Sequence, residues 1–247
     1  EKELIKTDER LKQVRDALSK TSRLVVTGEP GTGKSWLIEN LKSNLPNTII
    51  IRHYCYTSLT EEHEVFKKRV TKDAMIGSLI AQLNEKIGGF DLPDKKYASE
   101  IKTLNERLNQ VNKKLLLIID GIDHIWRTYQ KVNGYLTEKE ETILEIINQI
   151  SSTNPNVSIV VLSQPIKQLS ILSSFERIEL IPIDESYVVQ SFKKLDIKNI
   201  RILNESLSSL VLKKCNGNAL YCKYIIEAIS KKIGEVELLT TNYSIKE

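Results

Sequence analysis

Five short apolar runs punctuate the chain, and between them apolar residues recur every three or four positions. The runs are Arg23-Leu24-Val25-Val26-Thr27, Thr48-Ile49-Ile50-Ile51, Leu115-Leu116-Leu117-Ile118-Ile119, Val157 to Leu162 and Ile178 to Ile181. Leu115 to Ile119 is unbroken by any polar residue, which predicts a central parallel strand buried on both faces. The intervening spacing predicts helices. Leu4, Leu11, Val14 and Leu18 share a face in a lead-in helix over 3–19, and Trp36, Leu37, Ile38, Leu41 and Leu45 give the next helix its apolar side. Ile76, Leu79, Ile80, Leu83 and Ile87 form another, broken by Gly88-Gly89 and Pro93. Tyr97, Ile101, Leu104, Leu108 and Val111 follow, and Ile143, Ile146, Ile147 and Ile150 make a further helical face. Five strands alternating with helices predict an α/β domain with a parallel five-stranded sheet. Beyond Ile183 the strand signal fades. Helical segments 188–195, 203–214 and 220–232, parted by Asp196-Ile197-Lys198 and Asn216-Gly217-Asn218, predict a small helical subdomain. With Pro182 as the boundary, residues 1–182 form the first domain, with 1–20 as its lead-in helix, and 183–247 a helical lid.

The first run opens directly into Gly28-Glu29-Pro30-Gly31-Thr32-Gly33-Lys34-Ser35, which fits GxxxxGK[ST] at every defined position. A strand before and a helix after are the context that this phosphate loop requires. The glycines leave backbone N–H groups free to curl round a β-phosphate, Lys34 reaches the β- and γ-phosphates, and the Ser35 hydroxyl can ligate Mg²⁺. Trp36 continues the first helical turn, where the dipole favours an anion. The expectation is a P-loop NTPase using ATP or ADP with Mg²⁺.

The strand ending at Ile119 runs into Asp120-Gly121-Ile122-Asp123-His124. An acid leaving the carboxyl end of a buried strand stands where ligands bind in such sheets. Downstream of a phosphate loop it reads as a Walker B aspartate, so Asp120 is the second expected Mg²⁺ group. One further strand lies between the phosphate-loop strand and this one, an arrangement of hydrolases that activate water with a carboxylate. Asp123 is the candidate general base or water-positioning group, or else the cap of the next turn. His124 either reads the γ-phosphate or lies at the surface. Ser163-Gln164-Pro165 ends the fourth strand, making Gln164 either a phosphate sensor or a polar residue before a proline. Arg52, Arg69, Arg127, Arg177 and an arginine from another subunit all remain open as an arginine finger. Such a finger contributes roughly 10³ to 10⁵ in rate, so slow hydrolysis is expected of the isolated chain.

Composition narrows the picture modestly. The chain has 247 residues with 36 Lys and Arg against 32 Asp and Glu, a net +4. That excess is scattered over Lys67-Lys68, Lys113-Lys114, Lys193-Lys194, Lys213-Lys214 and Lys231-Lys232, which read as solvated helix ends or faces. Nucleic acid is allowed by this charge but not indicated by it. Cys55, Cys215 and Cys222 lack CxxC spacing and argue for a reducing cytosol. His53, Cys55 and His63 lack a fourth partner for a metal site. No apolar run approaches a membrane span, and Glu1-Lys2-Glu3 is unlike a signal peptide, so a cytoplasmic location is expected. Met75 is the only methionine, from which we expect a segment of a longer polypeptide.

The combined pattern resembles the STAND family, the signal-transduction ATPases with numerous domains, in its NACHT-like and prokaryotic antiviral branches. The likeness is carried by Thr7-Asp8-Glu9-Arg10 with Leu11, Gly28 to Ser35, His53-Tyr54-Cys55-Tyr56, Leu116 to His124, Val160 to Pro165, and Asn216-Gly217-Asn218-Ala219-Leu220-Tyr221. This chain has Gln164 where the family often has Arg, and Ala219 where it often has Pro. The resemblance implies a switch in which ADP holds a closed monomer and ATP exchange permits self-association and effector activation. Its partners would be effector and sensor domains of the same longer polypeptide. The alternative is an AAA-type ATPase acting on DNA, as an initiator or loader, which suits the basic charge. A small-molecule kinase is disfavoured because the segment after Ile183 offers only Arg201, and a scaffold with an inactive ATPase site is the remaining alternative.

Overall fold

The computed structural model describes residues 8–45, 47–55, 69–87, 100–125, 140–150, 154–199, 201–202 and 205–231. Tyr56, His63, Gly88-Gly89, Pro93, Tyr97 and Arg127 lie outside them. The chain divides into two compact units, one of residues 14–27 and 41–179, the other of residues 1–13, 28–40 and 180–247. In chain order the elements are α1 (Asp8–Lys20), β1 (Arg23–Thr27), α2 (Lys34–Asn44), β2 (Thr48–Tyr54), α3 (Lys72–Ile87), α4 (Ile101–Gln110), β3 (Lys114–Asp120), α5 (Glu140–Gln149), β4 (Val157–Ser163), β5 (Glu176–Glu179), α6 (Glu185–Lys194), β6 (Arg201–Ile202), β7 (Glu205–Ser206), α7 (Leu207–Cys215) and α8 (Ala219–Ser230).

The first unit is built on a five-stranded sheet of order β2-β3-β4-β1-β5. All its ladders are parallel, so Thr27, Tyr54, Asp120, Ser163 and Glu179 end on one edge. The strand between β1 and β3 in the sheet is β4. Every residue of β3 from Leu115 to Asp120 is buried, as its unbroken apolar run predicts. Met75, Ile76, Leu79, Ile80 and Leu83 form the buried stripe of α3, and Leu104 and Leu108 that of α4. These pack with Leu117, Ile119, Ile147 and Val161 into one core. Each such side chain contributes roughly 1.5–3 kcal/mol by leaving water. β2 lies at the end of the strand order, where a strand leaves backbone groups without a ladder partner. There Gln82 of α3 brackets Arg52, accepting from its N–H at 3.0 Å and donating to its carbonyl at 2.8 Å.

Several boundaries differ from the sequence reading, three of them through pairing or capping with other segments. β2 continues past Ile51 through Arg52-His53-Tyr54, because these residues pair with Ile118-Ile119-Asp120. β5 occupies Glu176–Glu179 rather than 178–181; its ladder to Leu24–Thr27 fixes the register, and an edge position tolerates its charged side chains. The helix expected over 203–214 begins only at Leu207. Glu205–Ser206 pair antiparallel with Arg201–Ile202, and the Ser206 hydroxyl then accepts from Ser209 N–H as an N-cap. A 3₁₀ helix over Lys167–Leu172 had no periodic signal in the sequence.

In the second unit Ile183, Val188, Phe192, Leu207, Val211, Cys215, Cys222 and Ile226 bury a small core among α6, α7 and α8. Asp184, Ser206 and Asn218 cap the three helices with side-chain oxygens. The Asp184 carboxyl is held below the usual carboxylate range by hydrogen bonds from the Ser186 hydroxyl and the Tyr187 amide. Lys193-Lys194 and Lys213-Lys214 occupy the last turns of α6 and α7, where cations suit the dipole. Asn216 stops α7 in the left-handed conformation. Among the described residues no helix is long and apolar enough to cross a membrane.

Candidate functional site

The residues singled out from the sequence fall into two groups, one in each unit. In the second unit, the glycine-rich loop connects to α2, whose first residue is Lys34. Gly31 and Gly33 have φ of 76° and 91°, a left-handed region that is costly for any residue with a side chain. The loop's carbonyls are fully accounted for. Lys34 Nζ donates to Gly28 O at 2.6 Å and to Glu29 O at 3.1 Å, and Thr32 Oγ1 also donates to Glu29 O at 2.8 Å. Asn218 Nδ2 donates to Pro30 O at 3.4 Å, while the Ala219 and Leu220 N–H groups donate to Gly31 O at 3.0 and 3.3 Å. Arg10 of α1 donates to Thr32 O at 3.1 Å, and Leu37 N–H to Gly33 O at 2.8 Å. In a trans peptide the N–H of the next residue points opposite to the carbonyl. Holding these carbonyls therefore sets the direction of the amides that follow them. Ser35 and Trp36 are exposed in the first turn of α2.

Arg10 and Asn218 were not singled out as loop contacts by the sequence. Arg10 also donates to Ile181 O, and burial lowers the pKa of its guanidinium. Both residues lie in stretches that carried the family likeness, yet nothing in periodicity or spacing links positions so far apart.

In the first unit, the backbone at Asp120 is clamped on both sides: its carbonyl accepts from Cys55 N–H at 2.7 Å, and Gly121 N–H donates to Leu162 O at 2.9 Å. Ile122 and Ile125 are fully buried and anchor the turn that follows. Asp120 Oδ2 accepts from the Arg52 guanidinium, and both side chains are about nine-tenths buried. The same guanidinium lies 4.1 Å from the centre of the Tyr54 ring. Among the arginines left open as fingers, Arg52 thus engages Asp120, and Arg177 donates to Leu169 O at 2.8 Å.

Asp123 is 4% exposed. Its Oδ1 accepts from Gln164 N–H at 2.9 Å and from the Ser163 hydroxyl at 3.5 Å, tying the turn after β3 to the end of β4. Its Oδ2 is buried with no hydrogen-bond partner among the described residues, and His124 Nε2 stands 3.7 Å away. Asp123, His124 and Gln164 are therefore brought together. His53, on the other face of β2 from Arg52, donates a ring N–H to Arg69 O at 2.8 Å, and burial holds its pKa below the ordinary value. Burial likewise pushes the Cys55 thiol up. No cluster of three or more His, Cys, Asp or Glu suited to a metal occurs among the described residues.

The fold is shared with proteins of known structure. The chain is 13% identical to the ORC1 protein of Aeropyrum pernix, solved in complex with DNA, with a TM-score of 0.57; the match covers 94% of this chain and 61% of that one. A Walker-type ATPase of Pyrococcus abyssi is 12% identical with a TM-score of 0.56, over 96% of this chain and 70% of that one. This chain therefore spans about three fifths of the ORC1 protein's length. No curated protein matches it in sequence. A family model described as an AAA domain matches residues 16–171, more than half of the chain. With that match and this sheet, the chain belongs to the AAA domain family of P-loop ATPases.

Proposed function

We propose that this chain is an ATP-binding and hydrolysing switch module, and that its nucleotide state controls self-association and effector activation in a longer STAND-type signalling or antiviral protein. The observation that carries the nucleotide reading is the loop, in which each carbonyl from Gly28 to Gly33 has a donor and two glycines hold positive φ. In this reading the loop amides and Lys34 hold the phosphates. Ser35 and Asp120 are the protein's Mg²⁺ groups. Oxygen donors of this kind suit Mg²⁺, and Asp120 already holds a cation, the Arg52 guanidinium. The metal would supply charge neutralisation on the β- and γ-phosphate oxygens. The buried Oδ2 of Asp123, which accepts no hydrogen bond among the described residues, is suited to accept a proton from a water, and the bonds to Oδ1 fix its orientation. His124 and Gln164 stand beside Asp123 as candidate phosphate sensors.

Calorimetry tests the binding half of this proposal. Lys34→Ala is expected to abolish ATP binding, and equal affinity in the variant and the wild type would refute the assignment. A second reading is an ATPase acting on DNA, favoured by the likeness to an ORC1 protein solved with DNA and by the net charge of +4. Salt-dependent DNA binding by the chain, weakening steeply as counterions are added, distinguishes it.

A further inference from the structure

The geometry points to a clasp on the glycine-rich loop: we propose that Ala219, with Asn218, is a positioning residue through which the start of α8 holds the loop in its phosphate-ready shape and senses its occupancy. The inference rests on the nucleotide reading above and adds a route of regulation to it. Ala219 N–H donates to Gly31 O at 3.0 Å, Leu220 N–H to the same oxygen at 3.3 Å, and Asn218 Nδ2 to Pro30 O. The approach is close. A Cβ on Gly31 would lie 1.9 Å from Asn218 Nδ2, so loop and cap are fitted to one another. Asn218 is itself held, because its Oδ1 caps α8 at Tyr221 N–H, 2.9 Å away, and its own N–H donates to Cys215 O at 2.8 Å. The positive end of the α8 dipole is thus directed at loop carbonyls.

The bond needs an N–H at position 219; a proline there has none and could not make it. With Ala219 the first amide of α8 is available, and the loop carbonyl takes it. Through the planar peptide, pinning Pro30 O and Gly31 O orients the N–H groups of Gly31 and Thr32. A loop that is already shaped loses less conformational freedom when phosphate arrives. By reciprocity, a bound phosphate that fixes the loop must tighten the hold on α8.

The test separates this positioning from helix stability. Ala219→Pro removes the donor and turns its Cδ toward Gly31 O, so the clasp must part, yet it suits the helix, since proline is favoured at the first helical position and Asn218, at φ −77° and ψ 112°, already has the extended backbone required before it. Asn218→Ser keeps a capping oxygen for Tyr221 while losing the amide that reaches Pro30. In calorimetry with ADP in EDTA, Ala219→Pro is expected to bind about threefold to tenfold more weakly, the range for one net hydrogen bond. Asn218→Ser is expected to bind about twofold more weakly. The ligand-free melting temperature of each should fall by no more than about 6 °C, the cost of one net hydrogen bond in a chain of this size. ADP should also slow hydrogen exchange over residues 218–222 in the wild type. Wild-type ADP affinity in Ala219→Pro, or exchange over 218–222 indifferent to ADP, overturns the clasp. Should Ala219→Pro fail to fold, unchanged affinity in Asn218→Ser overturns it instead. Lys34→Ala in the same titration keeps the two claims apart: retained ADP binding there refutes Lys34 and its loop as the phosphate site, whereas lost binding with an unaffected Ala219→Pro refutes only the clasp.

Discussion

Replacing Arg52 by methionine isolates the energetics of the ion pair at the end of β3. Methionine preserves much of the stem's volume, and the Gln82 bracket acts on the backbone at position 52, so it survives the change. What is lost includes the cation facing Asp120 and its stacking on Tyr54. Removing one partner of a buried pair costs about 3–5 kcal/mol, because the other charge loses the compensation of that partner. Here both side chains retain about a tenth of their exposure, which lets water reach them and favours the low end of that range. Stacking on an aromatic ring adds about 0.5–1 kcal/mol. The expected loss is about 3.5–4 kcal/mol, a fall in melting temperature of roughly 7–16 °C for a chain of this size. Urea denaturation without nucleotide or divalent metal provides the measurement, with Asp120→Asn as the reciprocal variant. The double variant Arg52→Met/Asp120→Asn removes both charges and should be more stable than the sum of the singles implies by about 2 kcal/mol. An Arg52→Met stability within about 0.5 kcal/mol of wild type, or strictly additive singles, would refute the reasoning, since neither is compatible with a desolvated pair.

Other expectations follow from the same contacts. Gly31→Ala places a Cβ 1.9 Å from Asn218 at φ 76°. The left-handed conformation costs about 1–2 kcal/mol and displacing the α8 cap about 1 kcal/mol more, whereas Gly31→Ala/Asn218→Gly should recover the second part; no recovery in thermal melts would exclude the collision. His53 has a depressed pKa, so the folded state favours the neutral ring and the unfolded chain takes up the proton first as pH falls. Its stabilisation is complete above about pH 6.5, the ordinary value, and is lost as pH drops toward the folded pKa; His53→Gln should flatten that part of the stability profile, and an unchanged slope would count against it. Asp123→Ala should retain ATP binding while slowing phosphate release by about 10² or more, and undiminished turnover would remove Asp123 from the mechanism.

The parts of this protein that were legible in its sequence are those fixed by local pattern. The unbroken apolar run of β3 requires burial on both faces, and GxxxxGK[ST] requires a particular backbone path, so sheet and loop could be read from residues a few positions apart. Register was less legible. β5 slid by two residues because a ladder with Leu24–Thr27, not its own hydrophobicity, decides where it pairs, and β2 gained Arg52-His53-Tyr54 from its neighbour β3. The polar contacts around the candidate site were illegible for a stronger reason. Arg10 to Thr32, Ala219 to Gly31 and Gln164 to Asp123 each join a backbone group to a distant residue, and a backbone amide or carbonyl is present at every position whatever its side chain. Side-chain identity alone could have pointed only to Arg52, the one polar residue between Ile51 and His53 whose charge complements Asp120. Even there the alternation of β2 had first to be known, since it sets Arg52 and Tyr54 on one face and His53 on the other. The site chemistry is thus carried by residue types that sequence displays, while its preorganisation is carried by backbone groups that sequence cannot distinguish. Proline is the exception, the one residue that deletes a donor visibly. For that reason position 219, where alanine retains an N–H that proline lacks, is the place at which a sequence change alone discloses whether loop and helix are joined.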